Sequence, residues 1–453
     1  MLQFLLFGIA TRGTTTSMRS PARILVLGFA ACMVVGSLLL TLPMATRDGQ
    51  GLAFVDALFM ATSAVCVTGL VVVDPGSVLT TFGQLVILLL IQVGGLGFMT
   101  IASLLAVLLG KRITIKERLI LKEALNQNSL QGIVRLVQSI VVVAIAIEVA
   151  GALLLALAFA THMPISQALY YGLFHAVSAF NNAGFDLFGN SLINYQRHPF
   201  VQFIVATLII TGGLGFIVLL SIAQHRRQLR RVSLHTKLAV TTSLALLGVG
   251  TFSIFAIEYG QPALQHLPAI EQFLNSFFHS AAARSAGMNT VPLTQFSDAT
   301  LLLIILLMFI GSSPGSTGGG IKTTTFAIVV LMVWHTLRGK SDISAFYRTV
   351  PPATIMRALV LVTLSVTLVL GVTIVLSISE QVPFLALLFE SVSAFGTVGL
   401  SLGITAGLSE FGKLVIIATM FTGRVGILTL LFALASRIDS QPYRYPEDHV
   451  LIG

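Results

Sequence analysis

The chain has 453 residues, 55% of them hydrophobic and only 9% charged, with a mean hydropathy of +0.95. Soluble domains carry about 25% charged residues, so a soluble enzyme, a nucleic-acid binder and a disordered chain are all excluded. A net charge of +9 does not revive the nucleic-acid reading, because the basic residues fall between apolar stretches and form no single face.

The two cysteines, Cys32 and Cys66, supply neither a disulfide framework nor metal-ligand spacing. The apolar run Leu2–Ala10 lacks a positive flank and is too short to span, so no secretory signal is expected. About 20 apolar residues cross a bilayer, and eight stretches qualify: 24–43, 82–109, 136–160, 200–223, 238–257, 299–337, 358–379 and 414–436. The sixth is too long for one straight span and is interrupted by Gly311-Ser312-Ser313-Pro314-Gly315-Ser316-Thr317-Gly318-Gly319-Gly320. The reading is a polytopic membrane protein.

Lysine and arginine set the orientation. Twenty fall on the side of the termini, including Arg12, Arg112, Arg226, Arg338 and Arg437, against four opposite: Arg47, Arg197, Arg284 and Lys413. Lys322 and Arg424 lie within spans. Both termini are therefore expected on the cytoplasmic side of a plasma membrane. The outer side is acidic, with Asp48, Asp56, Asp74, Asp186, Glu258, Glu271, Asp298, Glu380, Glu390 and Glu410. Such a field concentrates cations at a mouth, although ordinary loop charge explains any single residue.

Each outer loop holds an apolar stretch too short to span, as re-entrant segments do. Aligned on one glycine they read FMATSAVCVTGL (59–70), FHAVSAFNNAGF (174–185), FFHSAAARSAGM (277–288) and FESVSAFGTVGL (389–400). A phenylalanine (Phe59, Phe174, Phe277, Phe389) stands ten residues before the glycine each time, with a small residue at minus six: Ser63, Ser178, Ala281 and Ser393. The glycines are 115, 103 and 112 residues apart, so the repeat is about a quarter of the chain. GGLGF (94–98), GGLGF (212–216), GGGIK (318–322) and GRVGI (423–427) recur on the following helices, where close packing is the better reading. The expected fold is all-α integral membrane, eight transmembrane helices as four helix–pore-loop–helix repeats around a pseudo-fourfold pore. The repeats occupy 24–110, 136–223, 238–337 and 358–436. A cytoplasmic N-terminus (1–23), basic loops (111–135, 224–237), a further loop (338–357) and a tail (437–453) complete the division.

Four half-helices pointing their C-terminal ends at one axis would favour a cation there. Glycine then lets the returning strand turn carbonyls inward through positive φ. The candidate filter strands are Val67-Thr68-Gly69, Asn182-Ala183-Gly184, Ser285-Ala286-Gly287 and Thr397-Val398-Gly399. They contain no acid, so the expected ligands are backbone carbonyls and the expected ion is potassium. With one glycine per strand, discrimination weaker than in tetrameric potassium channels is expected.

These four segments, the interrupted sixth helix and the tail YPEDHVLIG (445–453) resemble the pore subunit of bacterial Ktr-type potassium transporters, in the Ktr/Trk/HKT superfamily. The resemblance covers essentially the whole chain after about residue 20. It implies that Gly69, Gly184, Gly287 and Gly399 line a selectivity filter, with Ser285 and Met288 departing from the expected threonine and phenylalanine. It also implies that the loop Gly311–Gly320 gates the pore, with Lys322 as an electrostatic element or a snorkelling side chain. Arg424 resembles a basic residue near the filter; capping of pore-helix carbonyls is the plainer alternative. The resemblance further implies a homodimer and a separate cytosolic nucleotide-binding ring responsive to ATP or ADP. Sodium-dependent flux is expected, with sodium as a second ion and no organic cofactor on this chain, and the tail lies near the dimer interface.

Several motifs are set aside. Ile321 separates Gly320 from Lys322 and spoils a phosphate-binding GxxxxGK[ST] pattern. His175 and His279 are expected to cap or pack, and Glu148 to hydrogen-bond within the structure. The basic cytoplasmic face meets anionic lipid by default. A sodium-coupled secondary transporter of another small cation or solute is the rival reading, although such folds usually carry two repeats. An enzyme would need a nucleophile, base or metal constellation that the spans lack.

Overall fold

In the computed structural model, residues 21–108, 113–124, 132–225, 228, 232–340 and 342–434 are described. Lys111, Arg112, Arg226, Arg227, Arg230, Arg231 and the tail 437–453 lie outside them. The fold is helical, and among the described residues one order recurs four times: a long helix, a short helix, a non-helical return segment and a broken helix. The first set is α1 (Pro21–Leu40), α2 (Phe54–Cys66), α3 (Thr81–Leu96) and α4 (Phe98–Leu108). After a connecting helix α5 (Ile115–Ala124) comes α6 (Ile133–Phe159), α7 (Ile165–Phe180), α8 (Pro199–Leu214) and α9 (Phe216–Gln224). The third set is α10 (Leu234–Glu258), α11 (Ala269–Ala282), α12 (Asp298–Phe309) and α13 (Thr323–Leu337). A two-stranded hairpin, β1 (Ser344–Ala345) with β2 (Arg348–Thr349), precedes α14 (Pro352–Ser379), α15 (Phe384–Gly396), α16 (Glu410–Val425) and α17 (Ile427–Leu434).

Local chemistry explains the punctuation. Pro164, Pro268 and Pro383 precede α7, α11 and α15, their rings fixing the φ at which the chain enters each short helix. Thr80, Ser297 and Ser409 accept from the N–H of Gly83, Thr300 and Gly412 at the start of α3, α12 and α16. Glu258 and Glu380, at the ends of α10 and α14, in turn accept from the backbone N–H of Ser297 (3.0 Å) and Ser409 (3.1 Å). Glu258 is wholly buried, so its carboxylate ties the end of α10 to the start of α12 and is not an ordinary loop charge.

Among the described residues four helices, α1, α6, α10 and α14, are long and apolar enough to cross a bilayer, and the pairs α3–α4 and α8–α9 qualify together. The spans expected as straight at 82–109 and 200–223 are bent by 94° and 93°. The span 414–436 is also broken, at Gly426. An interruption was expected in the sixth stretch alone, but all four second helices break. At Gly97, Gly215 and Gly426 a single residue with φ of 81°, 92° and 90° ends one helix and starts the next. In the third set the whole stretch Ile310–Lys322 does so.

Close packing holds for the first glycine in three of the four GGLGF-type motifs. A Cβ on Gly94, Gly212 or Gly423 would collide with the carbonyl of Val65, Phe180 or Phe395, at the end of the short helix in the same set. The fourth residue makes the bend instead, which the packing reading did not include. Gly248, on α10, has open space around it. Gly212→Ala is expected to cost about 1–3 kcal/mol through overpacking. Gly248→Ala is expected to gain about 0.5–1 kcal/mol by removing a mid-helix glycine. Thermal unfolding in detergent should therefore separate the two variants in opposite directions; a matching shift would contradict the packing assignment.

Candidate ion-conduction site

Three of the short helices end in the same hydrogen-bonded turn. Val67 N–H donates to Ala64 O (3.1 Å) and Thr68 N–H to Ser63 O (2.8 Å). Asn182 and Ala183 bond Ala179 and Ser178 in the same way, as do Thr397 and Val398 with Ala394 and Ser393. This closing turn needs a left-handed residue, usually glycine. Here Val67, Asn182 and Thr397 fill it, with φ of 57°, 58° and 49°. For a β-branched side chain the conformation costs about 1–2 kcal/mol. Two residues later Gly69, Gly184 and Gly399 are again positive, at 91°, 72° and 93°. Each strand thus has two left-handed residues, where only the glycine was expected to need one.

The third strand differs. Gly287 is positive at 63°, but Ser285 is not among the left-handed residues. Its helix ends on a different turn, with Ala286 N–H bonded to Ala282 O (2.9 Å). Phe278, not Phe277, is the wholly buried ring matching Phe59, Phe174 and Phe389. The interval to the glycine is therefore one residue shorter, and the left-handed residue is the one omitted. His279 and His175 confirm this register: each follows the buried ring and packs toward the residue three beyond its glycine, Thr290 and Leu187.

The four glycines are neighbours in a closed cycle. A Cβ on Gly69 would lie 2.6 Å from Ala183 O, and one on Gly184 2.9 Å from Ala286 O. On Gly287 it would strike Val398 O, and on Gly399 it would strike Thr68 O. The candidate residues Val67, Thr68, Asn182, Ala183, Ser285, Ala286, Thr397 and Val398 are all buried around this cycle.

The minus-six serines do more than fill space. Ser63 Oγ accepts from Gly69 N–H (3.0 Å) and Ser393 Oγ from Gly399 N–H (3.1 Å). Ser178 Oγ donates to Phe185 O (2.7 Å), and Ala281 has no hydroxyl to offer. Serine recurring in three of four aligned segments was the available signal for this role.

The loop Gly311–Gly320 lies against the strands. Its base is pinched by a parallel bridge between Ile310 and Ile321, and Ser312, Ser313 and Thr317 are buried. Ser313 N–H donates to Gly213 O (2.9 Å), and Phe216 N–H donates to Gly315 O (2.9 Å), beside the α8–α9 break. Lys322 folds back on the loop, its Nζ donating to Gly318 O (2.7 Å). Arg424 donates to Thr317 O in the loop and to Gly94 O and Gly95 O at the end of α3. It therefore caps carbonyls of a broken helix and of the loop, not of a short helix.

Two further residues depart from their sequence assignments. Arg284, counted on the outer side, is buried at the end of α11 and donates to Ser243 O (3.2 Å) and Ser243 Oγ (3.1 Å). Glu390, counted as an outer acid, is wholly buried and accepts from Ser401 (2.8 Å) and Thr405 (2.5 Å). Lys413 and Asp56 form an ion pair at 2.6 Å. Glu148 behaves as a structural hydrogen-bonder, accepting from Gln92 (3.0 Å) and Asn181 (2.9 Å). Asp186, counted as an outer acid, lies two residues past Gly184 and outside the candidate spans. Burial pushes its carboxyl up to about 6, with Asp74 adding to the rise and the Phe188 and Gly189 N–H groups opposing it.

Removing the Ser393 hydroxyl leaves the part-buried Gly399 N–H without its acceptor, at a cost of about 1 kcal/mol. Ser393→Ala should speed amide hydrogen exchange in a peptide covering 397–400, with helix α14 unaffected. Unchanged exchange at that strand would show that the serine only fills space.

A family described as TrkH, cation transport protein, matches residues 4–443. The chain is 42% identical to the Ktr system potassium uptake protein B of Bacillus subtilis, over 96% of this chain and 97% of that protein. It is 41% identical to the potassium/sodium uptake protein NtpJ of Enterococcus hirae, over 96% and 97% of the two chains. In fold it is similar to the crystal structure of the potassium transporter TrkH from Vibrio parahaemolyticus. The TM-score is 0.75 at 18% identity, covering 94% of this chain and 88% of that one. The chain belongs to the TrkH family of cation transport proteins.

Proposed function

We propose that this protein conducts potassium into the cell across the plasma membrane, through a filter made of Val67–Gly69, Asn182–Gly184, Ser285–Gly287 and Thr397–Gly399. The observation that carries the reading is the closed cycle of four glycines, each too near its neighbour's backbone to bear a side chain. Irregular backbone at bilayer depth persists where it lines a cavity. Left-handed residues at alternate positions, as at Val67 and Gly69, turn successive carbonyls to one side of a strand. Carbonyls so arranged replace the water shell of a large monovalent ion, and the C-terminal ends of the short helices add a field favouring cations. In this reading the four recurring sets are pore repeats, with eight spans once each broken helix is counted as one.

The loop Gly311–Gly320 with Lys322 is the gate, held closed by Arg424 and by its bonds to the α8–α9 break. Its glycines and serines give it the low stiffness that movement needs. The potassium uptake named for the Bacillus relative and the potassium/sodium uptake named for the Enterococcus relative support potassium as the principal ion and sodium as a second. The word "system" in the former supports a separate partner chain, here a cytosolic nucleotide-binding ring acting on a homodimer of pore subunits. Cytoplasmic termini follow from the lysine and arginine bias.

Purified protein in liposomes, assayed for potassium flux with sodium as competitor, tests the reading. Selective potassium flux is expected. Gly69→Ser should weaken discrimination by about tenfold or abolish flux, the scale on which one distorted carbonyl ring acts. Deletion within 311–320 should raise flux. Absence of monovalent-cation flux with a cytosolic partner present, or unaltered ion competition in Gly69→Ser, would overturn the filter assignment.

A further inference from the structure

The loop is bonded directly to filter strands, at matching positions in two of them. The Asn182 amide and the Thr317 hydroxyl share a hydrogen bond at 2.7 Å. Across the axis, Gly319 N–H donates to Thr397 Oγ1 at 2.9 Å. Asn182 and Thr397 are the left-handed residues that close the second and fourth short helices. On the third strand, a Cβ on Gly318 would lie 2.9 Å from the Ser285 side chain, so the loop meets that strand by contact. On the strand side these groups are the side chains of Asn182, Ser285 and Thr397, each two residues before its glycine, and all three are buried.

Strained residues persist where their surroundings over-determine them. At Val67 the surroundings are its own helix and neighbouring strands. At Asn182 and Thr397 they include a loop that belongs to another set and that must move for ions to pass. A bond from the loop to such a residue cannot break without changing what holds the strand.

We propose that Asn182 and Thr397 are positioning residues through which the Gly311–Gly320 loop sets the geometry of the second and fourth filter strands, so that loop movement changes ion discrimination together with flux. The inference rests on the reading of the strands as a filter and the loop as a gate. It assigns two latches: Thr317 to Asn182, and Gly319 to Thr397. It also separates the strands, because Val67 carries no side-chain bond to the loop and Ser285 meets it by packing alone.

The test compares potassium and sodium flux ratios in liposomes for the whole chain, Thr317→Val and Thr397→Val. Valine keeps the β-branch at each site, and with it the left-handed strain at Thr397, and removes only the hydroxyl. The expected result is higher flux with a potassium-to-sodium ratio lowered by about threefold to tenfold, the range set by loss of one buried hydrogen bond. Thr317→Ser and Thr397→Ser should return both readouts toward the unaltered protein. Higher flux at an unchanged ratio, or no change in either, overturns the latch while leaving filter and gate in place. Absence of selective flux in the unaltered protein overturns the filter reading instead. If Thr397→Val does not survive purification, Thr317→Val alone decides the matter, since its hydroxyl lies on the loop and not on a strand.

Discussion

Gly69, Gly184, Gly287 and Gly399 each face a carbonyl or α-carbon of the adjacent strand at a separation that excludes a Cβ. That approach of backbone to backbone governs much else in the molecule. Four strands can draw so near only if four short helices deliver them to one place, and each short helix must then be gripped from behind. The grip comes from a second close approach, where Gly94, Gly212 and Gly423 admit the carbonyls of Val65, Phe180 and Phe395. Immediately beyond those contacts the second helices break. The glycines of the strands and those of the GGLGF-type motifs are thus parts of one packing arrangement.

Backbone that is neither helix nor sheet must find partners away from water, since an unmade buried hydrogen bond costs about 1–3 kcal/mol. Here the partners are supplied in order: the closing turn of the short helix, the serine six residues before the glycine, and the loop Ile310–Lys322 beneath. The third set alone lacks both the minus-six serine and the left-handed residue. It is also the set whose second helix is interrupted by a whole loop and not by one glycine. Charge is treated the same way. Arg424 and Lys322 direct their donors at carbonyls of the loop and of α3, and Glu148 accepts from two amides. In the proposed pore these basic groups sit with the loop, where their charge opposes a cation until the loop moves.

Much of this was legible because glycine spacing and apolar length are properties of the chain itself. The four glycines Gly69, Gly184, Gly287 and Gly399 and the interruption at Gly311–Gly320 could be placed from sequence. What could not be placed depends on contacts between segments far apart. FFHSAAARSAGM offers two adjacent phenylalanines, and only packing shows that Phe278 is the buried one and that the segment is a residue short. Arg284 reads as a loop charge by position, yet the end of α11 carries it inward to Ser243. Gly97, Gly215 and Gly426 sit in motifs rich in glycine, where pattern does not distinguish a packing contact from a bend. Glu258 and Glu390 look like surface acids until their serine and threonine partners are seen.

The account turns on ions meeting the backbone carbonyls of the four strands. Anomalous diffraction from crystals grown with rubidium in place of potassium examines that directly. The account predicts rubidium within the cycle formed by Gly69, Gly184, Gly287 and Gly399, coordinated by carbonyls of all four strands. Rubidium bound only elsewhere, in protein that conducts potassium selectively, would contradict it.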